Sequence, residues 1–178
     1  MVIIQSEILR VNGRSRLSAY RQGVIPGYIK RYGMSLAEAR FWAGKHGHLM
    51  HEDEVNNLVV SVGKAMVGDL LIDVEGTGLT YHAIGTGNTA PSAGDTALTT
   101  ESARKAITAK SRSGNVLTLS TFYLAAESTY SIAEIGIFGG STAGVTADSG
   151  KLFSHFLQTY DNSAGAFDLT FDYSITIG

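Results

Sequence analysis

The sharpest pattern in the chain lies near its end, where Phe167, Leu169, Phe171, Tyr173, Ile175 and Ile177 alternate with Asp168, Thr170, Asp172, Ser174 and Thr176. Successive side chains of a strand point to opposite faces, so this pattern predicts a strand with one buried and one wet face. Shorter apolar runs predict strands over 104–112, 115–125, 130–138 and 151–158, and Leu79, Tyr81 and Ala83 lead strand-like into Gly85-Thr86-Gly87. Residues 88–94 and the Gly, Ser, Thr and Ala-rich stretch 139–150 read as loops. No helices separate the late strands, which disfavours a parallel sheet. The expected fold is mainly β: an antiparallel β-sandwich of jelly-roll or Greek-key type, preceded by an N-terminal arm and one or two helices.

Helical periodicity is confined to the first half. Val55, Leu58, Val59, Val62, Met66 and Leu70 recur at three- and four-residue steps, predicting a helix over 53–71. Ser35-Leu36-Ala37-Glu38 is a capping-box sequence, predicting a short helix to about Trp42 that Gly44 stops. The breakers Gly13, Gly23, Pro26, Gly27 and Gly33 otherwise crowd the N-terminal third, which reads as an arm that cannot fold alone. The division expected is a basic arm with a short helix over 1–52, and a helix plus sandwich body over 53–178.

At 178 residues the chain is long enough for one domain with a sizeable core. No apolar run approaches the roughly 20 residues of a membrane-spanning helix. The first residues lack the pattern of a secretory signal, so synthesis and use in a cytoplasm are expected. The absence of cysteine excludes disulfides, thiolate metal sites and cysteine nucleophiles.

Charge changes the picture. Residues 1–45 hold Arg10, Arg14, Arg16, Arg21, Lys30, Arg31, Arg40 and Lys45 against only Glu7 and Glu38, whereas the remainder is acidic. A basic segment on an acidic body suits an acidic partner. The residues expected to bind it are Arg10, Arg14, Arg16, Arg21, Lys30, Arg31, Arg40 and Trp42. Tyr20, Tyr28 and Tyr32 are interleaved with these cations as in a nucleic-acid tail. The charge is sparse, however, and Leu17, Val24, Ile25, Ile29, Met34 and Leu36 alternate with it as in a segment lying on protein, so nucleic acid is disfavoured.

Candidate chemistry is thin. His46, His48 and His51 lie beside Glu52, Asp53 and Glu54, yet no distant His or Cys completes a metal-ligand pattern. His82 and His155 read as packed or surface residues. Gly85-Thr86-Gly87 lacks the Lys-Ser/Thr ending of a phosphate loop. No Gly-x-Ser-x-Gly elbow is present. Asp168 and Asp172 share a strand face, read as solvated. Glu134, inside the apolar run 132–138, needs a partner if buried, and Arg104 is the expected one in a structural ion pair. No catalytic, cofactor-binding or metal-binding residue is assigned, no cofactor is expected, and the chain is not read as an enzyme.

From Asn57 onward, several ordered blocks are similar to tailed-bacteriophage virion proteins of the tail-fibre, collar-fibre and head-decoration kind. They are Asn57-Leu58-Val59 with Gly63-Lys64-Ala65, Tyr81 to Pro91, Gly94-Asp95-Thr96-Ala97-Leu98 with Glu101 and Arg104, Ile132 to Phe138, and Gly150 to His155. In that pattern Ile135 and Ile137 are conservative departures. The resemblance implies a β-rich, trimeric virion component, made in a host cytoplasm, that contacts other virion proteins and carries no catalytic residues. Within the blocks, Asp95 and Thr96 are expected to cap a short helix containing Leu98 and Glu101. The leading expectation is a capsid decoration (cementing) protein anchored by its arm to the major capsid protein. The alternatives are a tail or collar fibre or baseplate adaptor, and a carbohydrate-binding receptor module, the last disfavoured because Trp42 lies outside the sandwich.

Overall fold

The computed structural model describes residues 11–178. Ten strands occur among them: β1 (Val11–Arg21), β2 (Leu49–Asn56), β3 (Leu58–Val59), β4 (Leu79–Gly85), β5 (Glu101–Ala106), β6 (Ala109–Ser113), β7 (Val116–Tyr123), β8 (Ser131–Gly139), β9 (Lys151–Asp161) and β10 (Phe167–Ile177). The α-helices are α1 (Val24–Tyr32), α2 (Leu36–Lys45) and α3 (Ser61–Leu71). The strands form two antiparallel five-stranded sheets, A in the order β2-β1-β10-β7-β6 and B in the order β3-β9-β8-β4-β5. The mainly β sandwich follows the alternation in the sequence. Leu17, Leu169, Phe171 and Tyr173 of sheet A meet Ile84, Ile135, Ile137 and Phe156 of sheet B in one core. Each such side chain, fully buried, contributes about 1.5–3 kcal/mol.

Several expectations are corrected. Residues 11–21 are not an arm but an internal strand, paired with β10 along their whole length and with β2 on the other side. The boundary expected between 52 and 53 therefore falls inside β2. Its alternation was masked by a charged stretch, His51-Glu52-Asp53-Glu54, whose carboxylates answer Ser18, Arg14 and Arg16 across the sheet. The helix expected from Asp53 begins only at Ser61, after the chain has crossed to sheet B as β3. It lies close against β9, because a Cβ on Gly63 would stand 2.2 Å from the Phe153 carbonyl oxygen.

The strand expected over 104–112 is two strands in different sheets, with the chain crossing at Ile107 and Thr108. No helix contains Leu98. Asp95 instead accepts from the Ser92 amide, closing a turn.

Helix α2 has the predicted capping box, with Ser35 Oγ accepting from the Glu38 amide and Glu38 Oε2 accepting from the Ser35 amide. It runs past Gly44 to Lys45. Helix α1 was hidden by its own punctuation. Pro26 sits in the first turn, where its missing N–H costs nothing, and Gly33 closes the helix at φ 68°.

Candidate functional site

The α1–α2 hairpin lies on the outer face of sheet A. This cover explains why Ser18, Tyr20, Asp168 and Thr170 are buried although they point away from the core between the sheets. Tyr20, Ile25, Ala39 and Ala43 form a second small core beneath the hairpin, with Leu36, Leu49 and Phe122 around it. Two carboxylates on β10, expected to be solvated, fix the hairpin instead. Asp168 accepts from the Gly23 amide at 2.8 Å, immediately before α1, and from the Ala125 amide at 2.9 Å. Asp172 receives the Arg40 guanidinium on both oxygens and the Ser120 hydroxyl at 2.6 Å.

The two carboxyls respond oppositely to these surroundings. Burial raises the pKa of Asp168 above the ordinary value despite its two amide bonds. Burial also pushes Asp172 upward, but the Arg40 hydrogen bond and charge outweigh it and hold the group below its ordinary value.

What the hairpin turns outward is apolar, aromatic and cationic. Ala39 and Ala43 face the sheet, so Phe41 and Trp42 project from α2 and remain 58% and 42% exposed. Tyr32 on α1 is 58% exposed, with Ile29 and Met50 also open. Phe41 and Trp42 meet edge to face at 5.6 Å, and Trp42 lies 5.6 Å from the His46 ring. His46 Nδ1 is in turn 2.6 Å from the Tyr28 hydroxyl, joining the two helices. Arg31 stands 5.6 Å from the centre of the Tyr32 ring and Lys45 5.7 Å from that of Phe41. Lys30, Arg31 and Lys45 form no ion pair with a described residue. A shallow cleft of about 250 Å³ opens beside them between α1 and His48. Such a surface suits a protein partner that supplies acidic groups around an apolar centre.

The structure divides the residues expected to bind a partner. Arg10 lies outside the described residues. Arg14 and Arg16 stand on the outer face of β1, each against Glu54, at 2.9 and 3.2 Å. Arg21 extends along Met50, its Nε 3.5 Å from the sulfur. Arg40 is turned inward as a clamp. Only Lys30, Arg31 and Trp42 lie on the open hairpin surface. Sequence reasoning missed Phe41 and Met50. The signal for Phe41 was present, since alanines at 39 and 43 mark the face of α2 that packs closely.

Glu134 and Arg104 do not pair with each other. Glu134 is fully buried and accepts from the amides of Gly87, Thr99 and Thr100 at 3.1, 3.0 and 2.6 Å. His155 Nε2 stands 3.0 Å from the same carboxylate, and its Nδ1 is 2.6 Å from Asp95. Arg104 instead makes a two-pronged pair with Glu101, both contacts at 2.7 Å, and donates to the Ser149 carbonyl at 2.7 Å. Its guanidinium lies 4.0 Å from the centre of the Phe138 ring. The two residues are separate loop clamps, Glu134 for 86–100 and Arg104 for 140–150.

The histidine run is dispersed. His46 meets Tyr28, and His51 stacks on Tyr160 at 5.0 Å. Among the described residues, no group of three His, Asp or Glu side chains is placed to hold a metal ion. No helix there is long and apolar enough to cross a membrane. Comparison with known proteins returns no match, neither to a family model, nor to a curated protein, nor to a solved structure.

Proposed function

We propose that this chain is a non-enzymatic structural subunit of a tailed-bacteriophage particle, a capsid decoration protein that docks through the α1–α2 hairpin. The observation that carries the reading is the hairpin's exposed face, where Phe41, Trp42 and Tyr32 stand among Lys30, Arg31 and Lys45. Aromatic anchors ringed by cations give affinity at the centre and orientation at the rim. The ordered blocks that resemble virion proteins fit this role, since Glu101, Arg104 and Glu134 within them brace loops of the sandwich. The anchor is the folded hairpin and not a free arm. Its partner is an acidic face of the major capsid protein, and the subunit acts as a homo-oligomer.

Sedimentation with empty capsids and with isolated tails tests the reading. The intact chain is expected to pellet with capsids, and Phe41→Ser/Trp42→Ser or Lys30→Glu/Lys45→Glu to remain in the supernatant. Pelleting with tails alone would replace decoration by a fibre or baseplate role. Binding to neither would overturn the virion reading. Point variants are the right probe because deleting residues 1–45 removes the internal strand β1 of sheet A along with the hairpin.

A further inference from the structure

At the end of β1 opposite the hairpin, the sandwich opens into an apolar groove of about 630 Å³. Val11, Leu117 and Ile175 of sheet A form one wall, with Met66, Leu79 and Phe153 opposite. Lys110 and Arg112 stand at the rim on β6, an edge strand exposed at every residue. Their described contacts are to main-chain oxygens, those of Leu79 and Gly114, and neither pairs with a described carboxylate.

At the lip of this groove, whose lining includes Leu70 and Leu71, the chain leaving α3 protrudes as a knob. Leu71, Ile72 and Val74 are 75%, 70% and 69% exposed, although all three are large and apolar. Asp69 and Asp73 flank them, Asp69 bonded to Lys151 at 2.8 Å and Asp73 exposed. One end of the molecule thus carries an apolar projection with the exposed carboxylate of Asp73 on it and an apolar recess with a basic rim. Contiguous exposed apolar surface of this kind marks an interaction site. Complementary shape and charge on one chain favour contact between copies.

We infer that this end is a self-association surface, on which Leu71, Ile72 and Val74 of one copy seat in the groove of another. Asp73 of the inserted segment approaches Lys110 and Arg112 at the rim. The groove opens between the two sheets whereas the hairpin covers the outer face of sheet A, so association leaves both faces of each copy usable. The inference stands independently of the capsid reading.

Sedimentation velocity on the full chain across micromolar concentrations is the test, with circular dichroism to establish folding. The unaltered chain is expected to associate. Leu71→Asp/Ile72→Asp and, separately, Lys110→Glu/Arg112→Glu are expected to weaken association at least about tenfold with unchanged spectra, since all four side chains are at the surface. A monomeric unaltered chain at every concentration overturns the inference, as does either variant associating like the parent. If deleting residues 1–10 converts a monomer into an associating species, the groove belongs to the chain's own N-terminal segment and the inference fails. Capsid co-sedimentation of the same variants reads the hairpin separately.

Discussion

Arg40 of α2 grips Asp172 of β10 with a two-pronged ion pair, Nη1 lying 2.8 Å from Oδ1 and Nη2 bonded to Oδ2. It joins the hairpin to the strand whose other face lines the main core. Each side chain is only 18% exposed, so loss of either partner strands a largely desolvated charge. Arg40→Ala and Asp172→Ala are each expected to cost about 2–3 kcal/mol in denaturant unfolding. Arg40→Met/Asp172→Leu should cost less than the sum of the two single changes, because it leaves neither charge unpaired.

Acid titration should separate the two carboxyls of β10. Asp172 is held below its ordinary value in the fold, so its stabilisation is complete above about pH 3.9. That stabilisation disappears as pH falls through the lower folded value. Asp168 is raised by burial, so the folded state takes up its proton first and gains stability as pH falls through that raised value. Asp172→Asn should therefore flatten the acid limb of the stability curve, and Asp168→Asn should steepen it, in guanidinium unfolding followed below pH 6.

A second pH effect comes from the core. The His82 ring lies 4.5 Å from that of Phe171, with Nδ1 3.1 Å from the Tyr123 hydroxyl, which itself donates to the His82 carbonyl at 2.8 Å. Burial holds the imidazole down at about 3. In the unfolded chain it protonates near 6.5. Between these values the unfolded state binds the extra proton, so stability falls as pH drops, by at most about 1.4 kcal/mol per pH unit. His82→Phe keeps the main-chain acceptor for Tyr123 and should remove this slope between pH 6 and 4, read as the difference from the parent in thermal unfolding.

Glu134 makes the loop 86–100 part of the sandwich. Glu134→Ala strands three amides and His155, and is expected to cost about 3–5 kcal/mol. Gly87→Ala tests the same clamp without removing the charge, since its Cβ would stand 2.4 Å from Glu134 Oε1 and 2.7 Å from Thr99 Cβ. A cost of about 1–3 kcal/mol is expected from that crowding. Hydrogen exchange should show the amides of Thr99 and Thr100 losing protection in both variants.

The sandwich was legible because its late strands obey a two-residue period with one dry face. Where a second layer covers the outer face, that reading failed. Asp168 and Thr170 carry polar side chains on the alternate parity, and nothing local reveals that a hairpin entered at Gly23, 145 residues before Asp168, buries them. The same long-range closure turned an apparent arm into β1, whose register depends on β10. The hairpin's charge was visible from composition. Which cations remain open was not, because Arg40 looks like Lys45 in sequence and differs only in reaching Asp172. Glu134 was correctly singled out as needing partners, but main-chain amides satisfy it, and these carry no sequence signature.

Trp42 is the chain's one tryptophan, so the candidate docking surface has its own optical reporter. It is 42% exposed and stands between Phe41 and His46 at the open face of α2. Burial of this indole against a partner removes water from its excited-state surroundings, so emission should shift to the blue when capsids are added and return when salt screens the cationic rim. Lys45→Glu should weaken the shift without changing the free protein's spectrum, since Lys45 faces Phe41 and not the indole. Phe41→Ser removes a side chain already 58% exposed, and is expected to change stability by less than about 0.5 kcal/mol while weakening capsid binding. If Phe41→Ser instead lowers stability and leaves binding intact, the aromatic face serves the hairpin's own packing and is not the docking surface.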